Sequence, residues 1–86
     1  MAVTKPINLI GKKIRELREE RGLSQSDLAA RCGASGWDIS RGTLSKIEAQ
    51  VRRVTDSDLV SLANALRVPL EELYPKNVKI RVRKVT

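Results

Sequence analysis

The stretch Ile39–Glu48, ISRGTLSKIE, decides the fold. Ser40 carries a hydroxyl that can accept from the free amides at a helix start, so the spacing predicts a helix capped there. Leu44 and Ile47 stand three residues apart and share one face. Arg41, Gly42, Thr43 and Lys46 then point away from it. Such a helix buries two aliphatic side chains and offers a basic, small-residue surface outward. Gly42 costs roughly 1 kcal/mol in a helix interior and less near an end.

Working upstream, Ile10, Ile14 and Leu17 recur at the i, i+4, i+7 spacing of an amphipathic helix that opens from Asn8. Gly22 ends it, because glycine adopts the left-handed cap conformation at little cost. Ser24 with Asp27 makes a capping box for a second helix, whose inward face is Leu28, Ala29 and Cys32, running to about Cys32. The segment Gly33–Asp38, GASGWD, is too rich in glycine and small residues to continue it and is expected to be a loop. Downstream, QVRRV forms a basic connection. Thr55 and Asp58 make a second capping box ahead of Leu59, Leu62, Ala63 and Leu66. Pro69 is placed to open a fifth helix through Leu70 and Leu73, closed by Pro75. Val78, Ile80 and Val82 then alternate with Lys79, Arg81 and Arg83, the period of a half-buried strand. The expectation is an all-α, five-helix domain over residues 8–75, preceded by an arm over 1–7 and followed by a basic strand or tail over 76–86.

Charge is distributed unevenly. The chain carries a net +7, yet up to Pro75 there are twelve Lys or Arg against ten Asp or Glu, so the five cations from Lys76 onward account for most of the excess. A basic surface attracts polyanions, nucleic acid above all. Histidine is absent and Cys32 is the single cysteine, which excludes disulfide frameworks and Cys/His zinc sites, and no metal is expected. Catalysis lacks its groups too: no nucleophile stands beside a base, and no glycine-rich phosphate loop is present. The expectations are therefore a non-enzyme with no cofactor and no evident small-molecule effector. No apolar run suits a signal peptide or a membrane span, which points to a cytoplasmic protein with no membrane partner.

Taken together, IGKKIRELREERGLSQSDLAARCG, ISRGTLSKIE and LVSLANALRVPLEEL resemble the phage-repressor family of helix-turn-helix domains, the Cro and C1 repressor (XRE) type, over about Ile10 to Tyr74. The resemblance implies a lambda-repressor-like bundle in the bacterial cytosol or nucleoid that binds double-stranded DNA as a transcriptional regulator, with its third helix in the major groove and its second across the backbone. It makes Arg41, Gly42, Thr43 and Lys46 the base-reading candidates. Arg41 leads them, since its planar fork suits O6 and N7 of guanine. Ser24, Gln25, Arg52 and Arg53 become backbone contacts, and Arg18 with Glu48 a structural ion pair between helices one and three. The chain departs from the family between helices two and three, where ASGWD adds about five residues to the usual turn, and at Pro69, which replaces a polar cap.

Alternatives remain open at several positions. The basic tail reads as a disordered arm, as a strand, or as a strand pairing with a second copy through Val78, Ile80 and Val82, since free edge amides invite partners. Trp37 reads either as a loop anchor against helix one or two or as a contact to the sugar-phosphate backbone. Cys32 reads as a small buried apolar residue. The first reading of function is a sequence-specific regulator, a repressor, bound as a homodimer to a palindromic site; the competing one is a protein-interaction module that keeps the fold, antitoxin-like or coactivator-bridge-like, with a protein partner instead.

Overall fold

The computed structural model describes residues 5–78. Four α-helices follow in order: α1 Gly11–Glu20, α2 Gln25–Ala34, α3 Arg41–Glu48 and α4 Asp56–Leu66, and then a 3-10 turn at Leu70–Leu73. Three of the helix starts are closed by side chains within three residues. Ser24 and Asp27, and likewise Thr55 and Asp58, exchange side-chain and backbone bonds in full capping boxes. The Ser40 hydroxyl accepts from the Thr43 amide. The bonds from Ser24 also hold the Asp27 carboxyl below the usual carboxylate range.

These short helices cannot bury their own apolar faces, so they pack into one core. Ile10, Ile14, Leu28, Cys32, Leu44, Ile47, Leu62, Leu66 and Leu73 are almost wholly enclosed, with Trp37, Val54, Leu59, Val68 and Tyr74 packed against them. Burial raises the pKa of the Cys32 thiol, which keeps it protonated and unreactive. Among the described residues no helix is long and apolar enough to cross a membrane.

Four expectations change. The first helix begins at Gly11 and not at Asn8, whose side-chain oxygen accepts from the amides of Ile10 and Gly11 ahead of the first turn. The fifth helix is a single 3-10 turn, because Pro69 holds an extended backbone at its start and the segment ends at Tyr74, where Pro75 disfavours the α conformation. Leu73 alone anchors it to the core. The second helix runs two residues past Cys32: Gly33 and Ala34 are helical, and the chain breaks at Gly36 in the left-handed region, φ 97°. The Trp37 amide then donates to the Cys32 carbonyl at 2.9 Å, which folds the indole back against the core and leaves a shorter excursion than GASGWD suggests. Finally, Val78 is not in a strand; its amide donates to the Pro75 carbonyl at 3.1 Å in a turn. Ile80 and Val82 lie outside the described residues, as does the rest of the expected strand.

The end of α4 is held by two arginines, one at the cap of α1 and one within α2. Arg21 Nε donates to the Leu66 carbonyl at 2.9 Å, and Arg31 Nη1 to the Ala65 carbonyl at 3.3 Å. Both carbonyls belong to the last turn, where no intrahelical donor is available. Arg67, the cap residue, is exposed and left-handed at φ 58°. A side chain there is strained, so Arg67→Gly is expected to stabilise the fold by roughly 1 kcal/mol. A rise of several degrees in melting temperature checks this, and a fall would show that Arg67 makes compensating contacts.

Candidate nucleic-acid interface

Helix α3 has two faces. Leu44, Ile47 and Glu48 are buried, whereas Arg41, Gly42, Ser45, Lys46 and the following Ala49 are exposed. The exposed stripe contains two cations and no acid. Thr43 is different: it is half-buried, and its hydroxyl accepts a bond from Ser40 Oγ at 3.0 Å, which ties it to the helix cap. Ser45 takes the open position one helical turn after Arg41. Ser45 is not among the residues expected on this face, although its i+4 spacing from Arg41 places it there.

The buried edge of α3 is fixed to α1 by an ion pair. Arg18 Nε donates to Glu48 Oε2 at 2.7 Å and Arg18 Nη2 to Glu48 Oε1 at 3.0 Å, a two-pronged arrangement. Side-chain exposures of 11% and 4% mean that neither charge is well solvated. The bond from Glu48 holds the Arg18 guanidinium protonated above the usual arginine range, against the opposing effect of burial. Arg18 Nη1 also donates to the Leu23 carbonyl at 2.8 Å, so the same side chain ties down the link between α1 and α2. Gln25, the first residue of α2, donates from Nε2 to Glu48 Oε1 at 3.2 Å. One acidic side chain thus orients both an arginine of α1 and the glutamine at the start of α2.

A cleft of about 290 Å³ opens beside this cluster, lined by Arg15, Arg18, Gln25, Ser45, Glu48 and Ala49. Within it Glu48 is neutralised by Arg18. Of its other polar residues Arg15 and Ser45 are exposed, Arg15 beside Glu19 at 3.6 Å, and Gln25 is half-buried. A larger groove of about 550 Å³ near Tyr74 and Val78 shares no residue with α3.

The remaining sequence candidates are placed unequally. Ser24 is exposed, but its hydroxyl and amide are both engaged in the cap of α2. Arg53 is exposed in the loop after α3. Arg52 is half-buried, its carbonyl accepts a bond from Asn8, and its Nη1 is enclosed with no hydrogen-bond partner among the described residues. Of the two loop arginines, Arg53 is therefore the one presented to solvent.

Nothing local in the sequence points to the contacts that Asn8 and Gln50 make. Asn8 is 8% exposed, and its side chain reaches both the end of α3 and the loop that follows. Those partners lie 39 and 44 residues away, beyond any local pattern.

The helix-turn-helix family model matches residues 14–73. Among solved structures, the restriction-modification controller protein C.AhdI from Aeromonas hydrophila is 34% identical, with 76% of this chain and 91% of that one covered at a TM-score of 0.67. The DNA-binding domain of BldD is 27% identical, covering 86% of this chain and all 100% of that one, with a TM-score of 0.68. A hypothetical transcription factor from Neisseria, NHTF, shares the fold at 24% identity and a TM-score of 0.68, over 87% of this chain and 84% of its own. A comparison with curated proteins finds no match. Family match, identity and shared geometry agree: the chain belongs to the helix-turn-helix family of the Cro/C1 type.

Proposed function

We propose that this protein is a sequence-specific regulator of transcription, a repressor, that binds double-stranded DNA as a homodimer on a palindromic site with α3 in the major groove. The observation that carries this reading is the acid-free outward stripe of α3, Arg41, Gly42, Ser45 and Lys46, held rigid by the buried Arg18–Glu48 pair. An α-helix with its side chains is about 10 to 12 Å across, close to the width of the groove it would enter. The Aeromonas relative is a restriction-modification controller and the BldD structure is a DNA-binding domain, which supports the same class of partner.

In this reading Arg41 and Lys46 meet base edges, Gly42 allows close approach of the backbone, and Thr43 acts through the helix cap. Gln25 positions the protein on a phosphate, assisted by Ser24 and the amides at the start of α2. Arg53 adds a further backbone contact, and Arg52 contributes by shaping the loop. Residues 8–75 form the reading domain, residues 1–7 an arm, and residues 76–86 a basic segment that contributes to dimerisation through Val78, Ile80 and Val82. Two copies would place their α3 helices about 34 Å apart on one face of the duplex.

Selection from a random duplex pool, followed by anisotropy titrations across salt, tests this. Affinity is expected to fall steeply with salt, and the winning duplex to be preferred over competitor DNA. Arg41→Ala should cost about 1 to 3 kcal/mol at a single base position, roughly 5- to 150-fold, with the salt slope nearly unchanged. A full salt slope with no sequence preference would replace this reading by nonspecific DNA binding.

A further inference from the structure

The recognition helix is held at its far end by a second device, independent of the Arg18–Glu48 pair. Asn8 Nδ2 donates to the Ile47 carbonyl at 3.0 Å and to the Arg52 carbonyl at 2.9 Å, while its Oδ1 accepts from the amides of Ile10 at 3.2 Å and Gly11 at 2.8 Å. One buried amide therefore caps the approach to α1 and ties it to both the last turn of α3 and the following loop. Gln50 closes the circuit from the other side. Its Nε2 donates to the Asn8 carbonyl at 3.0 Å, and its own carbonyl accepts from the Ile7 amide at 2.9 Å.

Gln50 does this from a left-handed backbone, φ 64°, a conformation that glycine adopts without strain and a branched-off side chain resists. The position follows the last turn of α3, where the Gln50 amide donates to the Ile47 carbonyl at 3.0 Å and the Val51 amide to the Lys46 carbonyl at 3.0 Å, a helix-ending motif that glycine fills most often. Here the side chain makes the bond to Asn8. Gly11 completes the arrangement from α1, because the space a Cβ would fill there is taken by the carbonyls of Ile47 and Glu48 and by Gln50 Cγ.

We infer that Asn8 and Gln50 form a clasp that sets the position of α3 and of the loop bearing Arg52 and Arg53, and that they are positioning residues for sequence discrimination. The inference rests on the DNA-reading function proposed above. Neither side chain is on the exposed stripe of α3. Their effect runs through the backbone carbonyls they hold, so a loosened clasp lets α3 tilt in the groove and blurs base contacts while phosphate attraction remains.

Gln50→Gly separates this role from simple stability, because it removes the clasp bond and relieves the backbone strain together. The measurement is the ratio of affinities for the selected duplex and for unrelated duplex, read beside the melting temperature. The ratio is expected to fall roughly 5- to 30-fold while the melting temperature holds. As a second variant, Asn8→Ser keeps an oxygen for the Ile10 and Gly11 amides and loses both donors to α3 and its loop. It should lose the same discrimination, whereas Val68→Ala, which thins the core away from the clasp, should lower the melting temperature and keep the ratio. Full discrimination in Gln50→Gly, or an equal loss in Val68→Ala, would overturn the clasp. If the wild-type chain itself shows no preference, the DNA-reading function fails first and the clasp's role in it fails as a consequence.

Discussion

Glu48→Ala is expected to lower stability by about 3 kcal/mol, a large share of the roughly 5 to 15 kcal/mol that holds a domain together. The loss does not measure a strong attraction. A buried ion pair gains little over a well-packed apolar pair, but removing one member leaves the other charged in a poorly solvated place. Arg18 would keep only its bond to the Leu23 carbonyl, with Nε and Nη2 unpartnered. The adjoining cleft admits water to the guanidinium, which keeps the expected cost at the lower end of the usual 3 to 5 kcal/mol. Gln25 would also lose its partner, so DNA affinity should fall for reasons beyond stability. Glu48→Gln separates the two effects: it keeps the shape and an acceptor but removes the charge, and should lie between wild type and alanine. Chemical denaturation of the three proteins checks the order. An alanine variant within about 0.5 kcal/mol of wild type would show that the pair is dispensable.

Gly11→Ala is expected to destabilise, which reverses the usual sign. In a helix, alanine is ordinarily better than glycine by up to about 1 kcal/mol. At this position, however, the added methyl would meet the Ile47 carbonyl well inside contact distance, with Gln50 Cγ at 2.7 Å and the Glu48 carbonyl at 2.9 Å. Gln50 can swing aside, but the two carbonyls are backbone and cannot. Either α1 or α3 must move, at a cost of about 1 to 3 kcal/mol. For a domain of this size each kcal/mol lowers the melting temperature by about 4 to 8 °C. A melting temperature equal to or above wild type would mean that α1 and α3 do not approach as closely as described. Gly42→Ala is the natural control, since the nearest atom to a Cβ there is Ser40 Oγ at 3.8 Å.

These two residues illustrate different degrees of legibility. Glu48 was identified in the sequence through resemblance, as the partner of Arg18. Gly11 is not legible in the same way, because a glycine near a helix start has many explanations and its close neighbours come from a segment over thirty residues away. The same division holds across the interface. Arg41 and Lys46 are exposed on α3 where periodicity placed them, but the difference between Thr43 and Ser45 depends on a hydroxyl turned toward Ser40. Arg52 and Arg53 are alike in sequence and unlike in burial: the Arg52 carbonyl is held by Asn8 and its Nη1 is enclosed, whereas Arg53 is exposed.

Features that depend on residues a few positions apart are readable from the chain's primary order: the caps at Ser24, Ser40 and Thr55, the aliphatic stripes of four helices, and the outward basic face of α3. Such features are set by hydrogen bonds and side-chain periods within one or two helical turns, and no distant partner is needed to form them. Long-range packing, by contrast, settles that Asn8 and Gln50 grip the end of α3, that α1 and α3 meet at Gly11, and that Arg21 and Arg31 reach the last turn of α4. Those outcomes depend on which carbonyls and amides chain folding brings within about 3 Å of each other, and that proximity is a property of the packed core rather than of any local run of residues.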